Sequence, residues 1–215
     1  MMREWLKEPG TRTLTLGMGC FWSPEALFGA LPGIIRTRVG YAGGTTDRPS
    51  YREMGDHSEV VQVDFDEELV SYERLLETFW TNHNPVNING YKGRQYQSML
   101  LYHDADQQQV IHRVKERMEA DKGLLETEIS PSTPFFLAES RHQKYYLKRY
   151  PDALVKLTER YPTEEELMNA TLAARLNGLA KGYTNLARIV DEIGRWPMSD
   201  SERTATIELI RGIRW

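Results

Sequence analysis

Residues 11 to 22 read Thr11-Arg12-Thr13-Leu14-Thr15-Leu16-Gly17-Met18-Gly19-Cys20-Phe21-Trp22. Polar and apolar residues alternate from Thr11 to Leu16, the period of a strand with one covered face. Two glycines let the chain turn tightly, and a helix is expected from about Ser23 to Leu31, with Leu27 and Leu31 on one face. Cys20, the only cysteine in 215 residues, therefore sits where a strand turns into a helix. A thiol there meets unpaired backbone N–H groups and the positive end of the helix dipole, both of which favour a nucleophilic thiolate. A small buried apolar filler is the competing reading. Gly19 permits close approach to the backbone, and Phe21 with Trp22 offers an apolar wall beside the sulfur.

Composition narrows what this junction can serve. A chain of 24.9 kDa with 40% apolar residues is sized for one large domain, or one domain with an appendage. A net charge of -4 gives no basic footprint for nucleic acid, and none is expected as a partner. No stretch approaches the ~20 apolar residues that span a bilayer, and the charged first ten residues read as neither signal peptide nor anchor. With a lone cysteine unable to form an internal disulfide, the expectation is a reducing cytoplasm.

Gly33 to Tyr41 reads as a second strand and Thr45 to Asp56 as an irregular loop around Pro49. In Glu59 to Phe65, Val61, Val63 and Phe65 share one strand face, and the same parity puts Glu59 on it. Tyr72, Leu75, Leu76, Phe79 and Trp80 make the core stripe of a helix over Ser71 to Thr81. Asn82 to Arg94 is irregular, and the apolar run Met99 to Tyr102 follows. Asp104 and Gln107 open a helix through Glu119 with Val110, Ile111, Val114 and Met118 inward. Ile129 to Leu137 is expected to be extended, interrupted by Pro131 and Pro134, and Ser140 to Tyr150 to be helical. Beyond Pro151 the register is mostly helical: Thr163 and Glu166 form a capping box, Gly182 to Asn185 break the run, and 186–193 and 201–210 are further helices.

A carboxylate on a buried strand face loses its charge unless it is paired, and a neutral acid can donate a proton, so Glu59 is the second candidate. Its alternative is a frayed strand end bending back to water. Tyr51 and Tyr96, in the two irregular stretches, could each donate a hydroxyl to an oxygen or simply be wedged at the surface. The five histidines show no metal-ligand spacing, and one cysteine cannot complete a thiolate zinc site, so no metal is expected. His57 and His142 remain as supporting groups or ordinary hydrogen-bonding histidines.

Taken together, Gly19-Cys20-Phe21-Trp22 with Glu25, Gly40-Tyr41-Ala42-Gly43-Gly44, Pro49-Ser50-Tyr51, His57-Ser58-Glu59-Val60-Val61, Phe79 to Pro85, Gln95-Tyr96-Gln97-Ser98, and Ala138-Glu139 with His142-Gln143 closely resemble A-type peptide methionine sulfoxide reductases. The resemblance runs in order across residues 14 to 150. It implies an α+β fold, a two-layer α/β sandwich with a mixed sheet and a ferredoxin-like core, over residues 1–150, with 151–215 a helical C-terminal extension packed on it. It implies reduction of methionine S-sulfoxide, free or in proteins, with Cys20 as nucleophile, Glu59 as proton donor, Tyr51 and Tyr96 on the sulfoxide oxygen, and Phe21 and Trp22 receiving the S-methyl group. Gly19, His57, Tyr91 and His142 join the expected substrate-binding set, with Tyr91 standing about where the family often has an aspartate.

The resolving cysteines that many such enzymes carry in a glycine-rich tail are missing. No bound cofactor is implied, and an external thiol, from thioredoxin, glutaredoxin or a low-molecular-weight compound, would have to regenerate Cys20. Another small alkyl sulfoxide as substrate, a thiol peroxidase and a non-catalytic Cys20 redox sensor are the alternatives on the same fold.

Overall fold

The computed structural model describes residues 10–86 and 93–215. Strands β1 (Thr11–Met18), β2 (Ile34–Ala42), β3 (Ser58–Asp66) and β4 (Ser98–Tyr102) alternate with helices α1 (Trp22–Gly29), between β1 and β2, and α2 (Tyr72–Thr81), between β3 and β4. They form the split βαβ core of a ferredoxin-like fold, in the spatial order β4-β1-β3-β2 with antiparallel neighbours. A long helix α3 (Ala105–Lys122) then leads to β5 (Glu128–Pro131), which pairs parallel with β4 and makes the sheet mixed. The fold is the expected α+β class.

The strand parity anticipated for β3 holds. Val61, Val63 and Phe65 face the main core, where Leu75, Leu76, Phe79 and Trp80 of α2 and Ile111 and Val114 of α3 meet them. The Ser71 side chain caps α2 and Asp104 caps α3, each accepting a backbone N–H from the first turn. Val60, of opposite parity, packs on the other face with Ala42, Met99, Leu101 and Phe135. The extended stretch expected over 129–137 is two short strands on opposite edges of the sheet, β5 and β6 (Phe136–Leu137), the latter pairing with β2. Residues 132–135 cross between them, held by the Ser132 N–H on Tyr102 and the Thr133 hydroxyl under Gly43.

Two expectations need correction. Ser140 to Tyr150 is not a helix but two 3-10 turns, Ser140–His142 and Leu147–Arg149, separated by Lys144 at φ 53°. Long-range bonds override the local pattern: Gln143 exchanges hydrogen bonds with the Val39 backbone, and Lys144 is drawn inward to Glu25. Second, α1 ends at Gly29, two residues before the expected Leu31, and buries more than the expected face, on which Leu27 and Leu31 both pack against the main core. Glu25, Ala26, Phe28 and Gly29 are all buried, because the sheet covers one side of the helix and α6 covers another.

That partner lies in the helical part of the chain: α4 (Pro151–Arg160), α5 (Glu164–Asn169), α6 (Thr171–Lys181), α7 (Leu186–Ile193) and α8 (Asp200–Arg211). The expected Thr163–Glu166 capping box starts α5, and a second, Ser199–Glu202, starts α8. These helices enclose their own apolar cluster of Leu157, Leu172, Leu176, Ile189, Ile193 and Ile210. α6 crosses α1 through small residues: a Cβ added at Gly178 would lie 2.6 Å from the Ala30 Cβ and 2.9 Å from the Ala26 carbonyl oxygen. Arg175 of α6 is buried, donating to Gly29 and Ile34 carbonyls and to both carboxylate oxygens of Glu192.

Candidate functional site

β1 ends at Met18, and Gly19 takes φ 83°, a conformation that a side chain disfavours, so that Cys20 precedes α1 directly. Cys20 is half-buried and unpaired with any cysteine. The neighbouring strand brings Glu59, only 1% exposed, beneath the start of the helix. Its Oε2 accepts the Phe21 backbone N–H at 3.0 Å and its Oε1 accepts the Gln95 side-chain amide at 2.9 Å. The Cys20 thiol stands close enough to the same carboxyl group for each to shift the other's pKa.

No cation lies within ion-pair distance of Glu59 among the described residues. Burial therefore raises its pKa above the ordinary carboxylate value, against the opposing bonds from Gln95, Phe21 and Cys20. The neutral, proton-carrying form that the strand parity suggested is thus favoured relative to an exposed carboxyl. The expectation of a low Cys20 pKa is overturned. Burial pushes the thiol up to about 11, the Trp22 backbone N–H opposes that, and the Glu59 carboxylate adds to it. The physical reason lies in how the helix start divides its donors: the Phe21 N–H bonds Glu59 rather than the sulfur, leaving one backbone donor for Cys20. Cysteine and glutamate each shift the other's pKa, so the two titrate as a coupled pair rather than as a free thiolate beside an acid.

The two irregular stretches supply the hydroxyls. Tyr96 lies in the 3-10 turn Arg94–Tyr96, beside Tyr51, and burial together with the nearby Glu59, Tyr51 and Cys20 raises its pKa. Arg94 anchors that turn to the carbonyls of Gly43 and Asp56 and to Glu128. Tyr51 is held from behind, its backbone N–H donating to Glu139, whose other carboxylate oxygen accepts the Tyr41 hydroxyl at 2.7 Å. The aromatic wall follows: the His142 ring lies 5.4 Å from Phe21, 5.9 Å from Trp22 and 4.7 Å from Tyr51. Burial lowers the pKa of His142, whose Nδ1 faces the Trp22 indole N–H at 3.2 Å and whose Nε2 faces the Arg141 Nε–H at 3.2 Å.

Cys20, Phe21, Trp22, Glu59, Tyr51, Tyr96 and His142 are therefore brought together, with Gly19 as the turn that lets them meet. His57 serves another purpose: Nδ1 accepts the Gly44 N–H and Nε2 bonds the Thr46 carbonyl, so both ring nitrogens fasten the loop. The ring, 1% exposed, has both nitrogens taken up by that loop. Tyr91 lies outside the described residues. Gln95, Glu139 and Tyr41 stood in the quoted motifs without a role. A buried carboxyl with room for several donors was the signal that a side-chain amide such as Gln95 would be required. Among the described residues, no cluster of histidine, cysteine and carboxylate side chains could hold a metal ion.

A family model described as peptide methionine sulfoxide reductase matches residues 12–175. A peptide methionine sulfoxide reductase of Drosophila melanogaster is 39% identical over 193 residues, which cover 89% of this chain and 77% of the relative. The A5 enzyme of that name from Oryza sativa subsp. japonica is 40% identical over 201 residues, covering 87% and 78%. Of solved structures, methionine sulfoxide reductase A of Corynebacterium diphtheriae is similar with a TM-score of 0.57 and 31% identity, over 68% of this chain and 78% of that one. Mxr1 of Saccharomyces cerevisiae in its reduced form gives a TM-score of 0.60 and 28% identity, over 67% and 88%.

Proposed function

The chain belongs to the peptide methionine sulfoxide reductase family, and we propose that it is an oxidoreductase that reduces methionine S-sulfoxide, free or in proteins, through Cys20 and an external thiol. The observation that supports the reading is the Glu59 carboxyl, 1% exposed and with no cation at ion-pair distance among the described residues, set beneath the helix start that follows Cys20. Attack by a thiolate on sulfoxide sulfur requires that the oxygen be protonated as it leaves sulfur. A thiol beside a carboxylate holds the same single proton as a thiolate beside a carboxylic acid. Moving that proton from Sγ to Glu59 therefore arms nucleophile and acid together, at the moment a bound sulfoxide expels water.

In the proposed step Cys20 Sγ bonds to the sulfoxide sulfur while Glu59 passes the former thiol proton to the oxygen; transfer of that hydroxyl to Sγ, with cleavage of the S–O and S–S bonds to the substrate sulfur, leaves the thioether and Cys20 sulfenic acid. The hydroxyls of Tyr51 and Tyr96 are suited to bond the oxygen as negative charge gathers on it. Phe21 and Trp22, packed against His142, suit the S-methyl group, and an oriented methyl and oxygen leave only one epimer with sulfur facing Cys20.

With no second cysteine in these 215 residues, an external thiol condenses with the sulfenic acid, releasing water and leaving a mixed disulfide. A second thiol then releases Cys20 as the thiol and carries away the disulfide. A thioredoxin, a glutaredoxin or a low-molecular-weight thiol satisfies this chemistry, and a reducing cytoplasm suits it. We take residues 1–150 as the part that carries the chemistry and 151–215 as a helical extension that braces α1 from behind.

A single-turnover experiment tests the reading. Reduced enzyme, freed of reductant and mixed with a methionine S-sulfoxide peptide, should release about one methionine per Cys20 and form a dimedone-reactive sulfenic acid, the stoichiometry that the scheme requires. Methionine formation without loss of the Cys20 thiol would refute it, and faster reaction of a small non-amino-acid sulfoxide would move the substrate assignment.

A further inference from the structure

Two cations stand beside the wall of the site without a part in the chemistry above. Tyr145 stacks on Trp22 with ring centroids 3.8 Å apart and planes 3° from parallel, and the Arg149 guanidinium lies 5.8 Å from the Tyr145 ring centroid, one of its N–H groups donating to the Tyr145 hydroxyl at 3.2 Å and the others left open among the described residues. Tyr146 meets Tyr145 edge-on, bonds the Ser23 hydroxyl at 2.8 Å, and carries the Lys181 ammonium 4.7 Å over its ring. Arg149 and Lys181 are both exposed, and neither has a carboxylate within 4.0 Å among the described residues. Arg141, over the Tyr51 ring, differs: Glu139 lies 3.6 Å from it.

A cation resting on an aromatic face is fixed in position by the ring quadrupole while its N–H donors stay open to a second partner. The two rings continue the stack that begins at Trp22, so the Arg149 guanidinium lies no more than about 10 Å from the Trp22 ring. A chain in extended conformation advances roughly 3.3 Å per residue. A carboxylate one or two residues from a methionine seated at Trp22 can therefore reach it.

We propose that the Trp22–Tyr145–Tyr146 stack, with Arg149 and Lys181 on its rings, recognises an acidic side chain flanking the oxidised methionine of a polypeptide. This rests on the reductase reading for the identity of the central residue. It also gives the helical extension a direct part in substrate selection, since Lys181 closes α6.

The test compares peptides of one length in which Met S-sulfoxide is flanked by Glu, Gln or Lys, together with free methionine sulfoxide. Turnover is measured with the wild-type full chain and binding by calorimetry with its Cys20→Ser variant. At low salt the Glu peptide should exceed the Lys peptide in kcat/KM and in affinity on the order of fivefold, as two exposed ion pairs would give. The gap should shrink with added salt and in the Arg149→Gln/Lys181→Gln variant, and Arg149→Lys should retain it. Equal values for the Glu and Lys peptides overturn the proposal, as does a gap that the double substitution leaves intact or a preference confined to the α-carboxylate of the free amino acid. Glu-selective binding with no turnover of any peptide would leave the platform standing and remove the reductase reading. Turnover without Glu selectivity would do the reverse.

Discussion

Two buried carboxylates lie on either side of the first turn of α1, and they differ in one respect. Glu25, fully buried within the helix, accepts the Lys144 backbone N–H and pairs with the Lys144 ammonium at 2.8 Å, which itself donates to the Thr37 carbonyl. Glu59, equally buried at the head of the helix, accepts a backbone N–H and an amide but meets no cation among the described residues. A buried charge that is neutralised holds structure together. One that is left without a counterion takes up a proton and becomes a reagent. The same helix thus has a fixed charge pair inside it and a titrating acid at its tip, and the two should respond oppositely to substitution.

Breaking the fixed pair should give the largest effect. Lys144→Met leaves the Glu25 carboxylate buried alone and should destabilise the fold by about 3 to 5 kcal/mol, whereas Glu25→Gln/Lys144→Met should recover much of that loss. Urea unfolding of the wild type, Glu25→Gln, Lys144→Met and the double variant measures it, and additive losses would contradict the pairing. Glu59→Gln should lower kcat/KM by roughly 10² to 10⁴ through loss of the proton donor, with little change in the urea midpoint. A large loss of stability there would turn Glu59 into a second structural acid.

Smaller effects sharpen the same contrast. Gly178→Ala forces a methyl against Ala30 and the Ala26 backbone where α6 crosses α1, and should cost about 1 to 3 kcal/mol without abolishing turnover. Thiolate absorbance against pH should place the Cys20 midpoint near 11 in the resting enzyme, and lower in Glu59→Gln, because the carboxylate both repels the thiolate and accepts its proton. Activity should accordingly rise as pH passes through the raised Glu59 pKa, where the doubly protonated pair loses one proton. It should fall near the Cys20 midpoint, where the last proton leaves. An unchanged thiol midpoint in Glu59→Gln would separate the two groups.

What the sequence made legible follows from the range of the signals. Cys20 at a strand-to-helix turn and Glu59 on a covered strand face are set by residues two to four positions away, and both stand where periodicity put them. So do the α2 stripe and the Asp104 and Thr163 caps. The misreadings arise where distant groups decide. The 140–150 segment has a helix-compatible composition, but Gln143 and Lys144 bond partners more than 100 residues away. The low thiol pKa expected from a helix N-terminus depended on donors that Glu59, 39 positions later in the chain, takes for itself. Gln95 and Tyr41 carry no local mark of their roles, since only the approach of the Arg94–Tyr96 turn and the pairing of Tyr41 with Glu59 across β2 and β3 bring them there.

Reduction of the separate S and R epimers of a methionine sulfoxide peptide, with a dithiol as reductant and Cys20→Ser alongside, tests the central claim most directly. Turnover of the S epimer alone, lost in Cys20→Ser, is the expected result. Turnover that survives the substitution, or equal rates on both epimers, would contradict a site in which one thiol, one acid and one methyl-binding wall act together.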